Sequence, residues 1–303
     1  MDWPDYELLD SGGMAKLERF GSIILARPEP TAHHPRALPQ GDWEKADAFF
    51  EENGGWTKRG NLPETWEIQF GSLIFRLRFA ECNKHIGLFP EQARQWQWFL
   101  DNPAAGTPKL LNLFGHTGAA TLAAAIAGFQ VTHVDASKPA LSQGRENQCL
   151  SNLQDAPIRW IHEDATTWVD RETKRGSKYN AILLDPPTFG RGPKGQVWKN
   201  GKDLPALLGK LIPLLEQRSP LFILLNHYTP TLPYFPESVL PYQMLSGQHA
   251  LVPIDGHQLV PAQWFMLDFT GGSLTPPPSG SGSGPPGDTL ILSRPTKPSR
   301  TGC

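Results

Sequence analysis

Cysteine is scarce in this chain, with Cys82, Cys149 and Cys303 scattered across 303 residues. Three thiols so far apart exclude a disulfide framework and a zinc cage, and a reducing cytoplasm fits them best. The histidines, His33 and His34 included, lack metal-ligand spacing with Cys or carboxylates, so no metal is expected. A dominant charge is missing as well. With 28 basic and 30 acidic residues the net charge is -2, which gives no global pull toward phosphate backbones; nucleic-acid binding would need a local basic patch. No apolar run approaches the length of a membrane span, and the chain starts acidic and polar (MDWPDYELLD), so neither export nor membrane insertion is expected. No internal repeat is visible.

What is present is most informative from Lys109 to Ser137, KLLNLFGHTGAATLAAAIAGFQVTHVDAS. Leu110, Leu111, Leu113 and Phe114 form an apolar strand that stops at Gly115-His116-Thr117-Gly118. An Ala-rich helix runs from Ala119 to Ala127, Gly128 ends it, and Gln130 to Val134 make a second strand. Asp135 follows Gly115 by 20 residues, close to the usual distance from a Rossmann glycine turn to a ribose-binding acid. The glycines do not spell GxGxxG, since the third place is Ala119 or Ala120. That points away from a diphosphate cradle and toward an adenosine cofactor without phosphates, with the glycines allowing close backbone approach.

A second apolar strand, Ala181 to Asp185, runs directly into Pro186, Pro187, Thr188 and Phe189. In an open α/β sheet ligands sit beyond the carboxyl ends of the strands, so these residues line the crevice that the glycine turn opens into. Two prolines fix φ and donate no N–H, leaving the carbonyls of Asp185 and Pro186 as rigid acceptors for an N–H on a planar base. Phe189 suits stacking on a flipped or single-stranded base.

Together these motifs resemble the class I S-adenosylmethionine (SAM) dependent methyltransferases, whose fourth motif is often an acid or Asn, two prolines and an aromatic. KHIGLFPEQARQW, Lys84 to Trp96, looks like the segment ahead of the cofactor domain in bacterial methyltransferases related to the large-subunit rRNA methyltransferases. ELLDSGGMAKLERFGSIILARPEP, Glu7 to Pro30, is similar to the start of a branch of that group without the motif cysteine. The resemblance covers roughly Tyr6 to Thr270. It implies a mostly parallel Rossmann-like α/β sheet with an antiparallel closing strand and a small N-terminal α+β lobe. SAM is the implied cofactor, with Phe89, Gln92, Gly115, Thr117 and Gly118 toward its methionine end and Phe114 among its further contacts. Asp135 then takes the ribose hydroxyls, Ala136 and Ser137 flank the adenine, and Asp164 with Ala165 meets the adenine amino group. Asp164 reads equally well as a helix N-cap, with Thr166 and Thr167 following. His116 departs from the group, where Tyr is usual.

Carbon methylation through a covalent adduct needs a cysteine nucleophile. Related cytosine methyltransferases carry it after the fifth strand, where this chain has Leu225-Asn226-His227-Tyr228-Thr229. Cys149 falls in a helix and Cys82 ahead of the cofactor domain, and burial is expected for both. Direct transfer to nitrogen or oxygen remains, needing alignment and a place for a proton. Asp185, Pro186, Pro187 and Phe189 are the candidate catalytic set, with His227 as a base and Tyr228 nearby.

The expected organisation is an accessory lobe over 1–102, the SAM-binding domain over 103–270 and a Gly/Pro/Ser-rich flexible tail over 271–303. Alternation predicts strands at Ser22–Ala26 and Ile68–Phe79, a helical piece near Trp43–Glu52 and an amphipathic helix over Glu91–Asn102. Further helices are expected at Lys138–Leu153 and Leu204–Glu216. Strands are expected at Ile158–Ile161 and Pro220–Leu225, with a closing antiparallel pair at Ala250–Ile254 and Gln263–Phe269 and an edge strand over Thr289–Leu292. Arg191, Lys194, Lys199 and Lys202 fall on a Gly-rich loop, either a phosphate-holding basic rim or a solvated mobile loop. The function expected is methylation of an RNA base, rRNA by resemblance, without a cysteine nucleophile. The alternatives are a small-molecule or protein-side-chain methyltransferase, or a SAM- or RNA-binding module without turnover.

Overall fold

A computed structural model of the chain describes residues 3–80, 83–229, 233–236, 243–253, 257–272 and 274–279. The N-terminal part begins with three antiparallel strands, β1 (Tyr6–Gly12), β2 (Ala15–Phe20) and β3 (Ile23–Pro28). One helical turn, α1 (Gln40–Trp43), leads to β4 (Ala48–Glu51) and β5 (Gly55–Lys58), which complete a sheet ordered β1-β2-β3-β4-β5. The helical piece predicted near Trp43–Glu52 is therefore a single turn, because Ala48 and Phe49 pair with Leu25 and Ala26 of β3. The alternating run Ile68–Phe79 is a hairpin, β6 (Thr65–Phe70) and β7 (Leu73–Arg78), with Phe70 opposite Leu73 across the turn. The apolar positions shift from even (Ile68, Phe70) to odd (Leu73, Phe75, Leu77) across Gly71-Ser72, which is the mark the turn leaves in the pattern.

A short 3-10 turn, Pro90–Gln92, opens α2 (Ala93–Asp101). The large sheet follows: β8 (Lys109–Leu113), α3 (Ala119–Ile126), β9 (Gln130–Asp135), α4 (Lys138–Leu150), β10 (Ile158–His162), α5 (Ala165–Arg175) and β11 (Ala181–Leu184). A small hairpin, β12 (Phe189–Arg191) with β13 (Val197–Lys199), then precedes α6 (Asn200–Leu211), β14 (Phe222–His227), β15 (Gln243–Leu251) and β16 (Leu259–Asp268). The order is β10-β9-β8-β11-β14-β16-β15, with the first five strands parallel and β16 antiparallel to both its neighbours. This is a mostly parallel α/β sheet with antiparallel closing strands beside a smaller N-terminal sheet. β11 and β14 are buried along their whole length, as apolar runs covered on both faces must be.

One core runs from the N-terminal sheets into the large sheet, across position 102. It includes Trp3, Phe70, Trp96, Phe99, Leu110 and Phe222, with Trp96 edge-on to Trp3 and Phe70 at ring distances of 6.0 and 5.6 Å. Trp96 and Phe99, in helical register on α2, join the two sheets. Leu274 also packs on this core, and Trp98 Nε1 donates to Thr275 O at 2.6 Å. The described start of the expected flexible tail is thus docked on α2, since an indole N–H needs an acceptor. Residues 280–303, the predicted strand Thr289–Leu292 among them, lie outside the described residues, as do Cys82, Cys303, Ile254, Asp255 and Gly256. Cys149 is exposed on α4, contrary to the burial expected of it; its neighbours Asn147 and Gln148 take the inward positions of that helix instead. Among the described residues no helix is long and apolar enough to cross a membrane.

Candidate active site

The carboxyl ends of β8, β9, β10, β11 and β14 open into one cavity of about 750 Å³, within the usual range for small-ligand sites. Of the residues singled out in the sequence, Phe89, Phe114, Asp135, Ala136, Ser137, Asp164, Ala165, Asp185 and Pro187 line it. Gln92, Gly115, Thr117 and Gly118 line a small adjoining pocket that shares Phe89, Phe114 and Asp185 with the main one. Pro186, Phe189 and His227 are on neither wall.

The glycine turn is held by Asp135. Its Oδ2 accepts from His116 N at 2.8 Å and its Oδ1 from Ser137 N at 2.7 Å. Left-handed φ values fall on Phe114 (58°), His116 (50°) and Gly118 (84°), a local strain of the kind found at ligand sites. Gly115 serves space and not conformation, since a Cβ there would meet His133 Cε1 at 2.4 Å. Thr117 donates through Oγ1 to Gly87 O at 2.5 Å, tying the turn to the segment ahead of α2. Burial drives the His116 imidazole below its ordinary pKa, so a neutral ring faces the cavity, 5.2 Å from Phe89.

Ser137 caps α4 through Oγ. Asp164 caps α5, its Oδ1 accepting from Thr167 N at 2.8 Å and Thr167 Oγ1 at 2.9 Å, while the residue also lines the cavity. The N-cap and ligand readings of Asp164 are compatible, because the helix start and the strand end are the same place in a βα unit.

Asp185 follows β11 half-buried. Gln92 Nε2 donates to its Oδ2 at 2.7 Å and to Tyr228 Oη at 2.6 Å, while Asp185 Oδ1 has no hydrogen-bond partner among the described residues. Burial pushes the Asp185 carboxyl up to about 6, against the hydrogen bonds of Gln92 and Tyr228. Burial, with Asp185 next, raises the Tyr228 phenol well above its ordinary value. Tyr228 lines the cavity, whereas His227, one residue back, is buried beside Phe265 and shares a hydrogen bond with Thr229 Oγ1 at 2.5 Å. Strand alternation separates the two.

The sequence reading missed the far wall. Lys16, Arg27, Glu29, Lys84, His85 and Glu91 line the same cavity from the N-terminal side. Arg27 donates to Glu18 Oε2 through Nε at 2.9 Å and Nη2 at 2.6 Å, and Tyr6 Oη donates to Glu18 Oε1 at 3.0 Å. Lys16 Nζ lies 3.5 and 3.4 Å from Glu18 and Glu29. Burial pushes the Glu18 carboxyl up, but Arg27 and Lys16 outweigh it and hold it below the ordinary range. Burial raises Glu91 and lowers His85 to about 3, so His85 is neutral and Glu91 resists ionisation. A usable signal was Arg27 sharing the inward register of Ile23 and Leu25 on β3. Trp198 was missed too; its ring lies 4.9 Å from Phe114 and its Nε1 donates to Pro187 O at 2.8 Å.

Carboxylate acceptors at Asp135 and Asp164, beside the apolar walls of Phe114, Val134, Ala136 and Ala165, suit an adenosine with a ribose diol and no phosphate. Such a sheet and such a crevice define a nucleoside-cofactor enzyme of the Rossmann-like class. Residues 47–229 match the S-adenosylmethionine-dependent methyltransferase family, well over half the chain, and the chain belongs to that family. A SAM-dependent methyltransferase from Agrobacterium tumefaciens has a similar solved structure, 36% identical, with a TM-score of 0.79 over 87% of this chain and 90% of that one. Among curated proteins, the ribosomal RNA large subunit methyltransferase K/L of Shewanella frigidimarina is 36% identical over 109 residues, 35% of this chain and 15% of that protein. A Methanocaldococcus jannaschii protein, provisionally named a ribosomal RNA large subunit methyltransferase, is 29% identical over 159 residues, 49% of this chain and 40% of its own length. The match thus spans less than half of either curated relative. The protein is a SAM-dependent methyltransferase related to the large-subunit rRNA methyltransferases.

Proposed function

We propose that this enzyme methylates a base of RNA, ribosomal RNA by kinship, by direct transfer to nitrogen or oxygen without a cysteine nucleophile. The observation that carries the reading is Asp185. It ends β11 in the cavity shared with Asp135 and Asp164, is oriented by Gln92, titrates near pH 6, and is followed by the proline pair. An acceptor poised near neutrality suits an N–H that must be aligned and then give up its proton. SAM, when bound, supplies the electrophilic methyl group. Asp135 takes the ribose hydroxyls, Asp164 the adenine edge, and Phe114 with Ala136 and Ala165 the adenine faces. Asp185 aligns the attacking group and receives its proton, with Tyr228 beside it. Pro187 shapes the entrance to that acceptor, and residues before 103 form the substrate-side wall. No cysteine among the described residues lines the cavity, which supports direct transfer.

The buried Lys16–Glu18–Arg27–Glu29 wall favours a second reading, a small polar substrate enclosed in the cavity. Labelled SAM, incubated with deproteinised ribosomal RNA and separately with a small-metabolite fraction, distinguishes them. Label on RNA bases supports the first reading; label confined to small molecules overturns it.

A further inference from the structure

The hairpin β12–β13 follows the proline pair, and its two faces differ. Gly190 and Trp198 are paired on the inner face, where Trp198 is buried against Phe114 and bonded to Pro187 O. Phe189 pairs with Lys199 and Arg191 with Val197, and all four fall on the outer face, exposed. Phe189 is 54% exposed and Val197 51%, unusual for side chains that lose so much by facing water. The segment is a paired hairpin, and Lys194 Nζ at its tip lies 3.4 Å from Glu163 Oε2. Among the described residues neither Arg191 nor Lys199 has an ion-pair partner. Arg191 also lines the cavity, so the outer face is continuous with its mouth.

A paired surface of one aromatic, one aliphatic and two cations outside any described ion pair, beside the entrance, matches the chemistry of a single-stranded nucleic acid. Unpaired bases stack on rings, and phosphates seek nearby cations. Phe189 lies outside the cavity walls, where it is placed for a base flanking the target.

We propose that the outer face of β12–β13 is the docking surface for the single-stranded RNA flanking the target nucleotide, with Phe189 stacking on a neighbouring base and Arg191 and Lys199 meeting phosphates. This rests on the RNA reading above. The test is fluorescence anisotropy with a fluorescein-labelled single-stranded RNA of mixed sequence, run as a salt titration, alongside methyl transfer to ribosomal RNA and calorimetric SAM binding for every variant. Phe189→Ala is expected to weaken RNA binding about 10-fold, and Phe189→Trp to retain it. Lys199→Ala is expected to reduce the salt slope by about one. SAM affinity reports that each variant is folded. If the wild type binds and methylates RNA but both alanine variants bind it equally well, the docking surface is wrong and the RNA reading stands. If the wild type neither binds nor methylates RNA, the RNA reading fails and this surface falls with it.

Discussion

Gln92 Nε2 lies 2.7 Å from Asp185 Oδ2, so a residue ahead of the cofactor-binding sheet orients the carboxyl at the end of β11. The same nitrogen lies 2.6 Å from Tyr228 Oη after β14. Three segments distant in sequence thus converge on one amide, whose two hydrogens match the two acceptors.

Removing that amide by Gln92→Ala should lower kcat by roughly 10- to 100-fold. Gln92's hydrogen bond holds the Asp185 pKa down, so its loss moves the acid limb of the rate profile to higher pH. A kcat/KM profile from pH 5 to 9 shows the shift; an unmoved limb with lowered kcat would assign Gln92 to packing alone.

Asp185→Asn should cut methyl transfer by about 10²- to 10⁴-fold while SAM still binds. Wild-type activity should rise with pH through about 6 as the carboxyl ionises. The folded pKa is raised above its ordinary 3.8, so stability is fully present below that value and is lost as pH rises through about 6. The half-buried Asn variant should then melt higher than wild type at pH 8, by on the order of 1–2 kcal/mol, and equally at pH 4 or below. Calorimetry at both pH values checks the sign.

Asp135→Ala removes the acceptor of both His116 N and Ser137 N. SAM affinity should fall by at least about 10-fold, since two charge-assisted hydrogen bonds that shape the turn disappear. Titration calorimetry measures it, and unchanged affinity would move the cofactor site away from β9.

Gly118→Ala places a Cβ 2.6 Å from the Trp160 ring at φ +84°. A left-handed L-residue costs about 1–2 kcal/mol, and displacing the ring adds to it. Gly176→Ala, at φ +69° with nothing within 4 Å, should show the conformational cost alone. Denaturant melts of the pair separate the two contributions.

Arg27→Met leaves the buried Glu18 carboxylate without the two guanidinium N–H groups that meet its Oε2. A loss of about 3–5 kcal/mol is expected in urea unfolding at pH 7. A change under about 1 kcal/mol would mean that Lys16 and Tyr6 suffice to hold Glu18.

Much of the cofactor half was legible because its signals are local. Continuous apolar runs mark β8, β11 and β14, and a parallel sheet brings the residues after such strands to one edge. That is why Asp135, Asp164 and Asp185 share a cavity. The N-terminal half was less legible. Its strands carry charge at inward positions, as in Lys16, Glu18 and Arg27, so the polar–apolar alternation that reveals a half-buried strand is broken.

The chain by itself determined the strand order of motifs, the glycine turn, the acids at the strand ends and the missing cysteine after Leu225, because these are contiguous in sequence. Only the tertiary structure decided which of them face the cavity. A one-residue alternation turned Tyr228 in and His227 toward Phe265, hairpin pairing put Phe189 outside, and sheet packing brought Lys16, Arg27 and Glu91 to the far wall. Those outcomes depend on contacts between segments tens of residues apart, which no local pattern encodes.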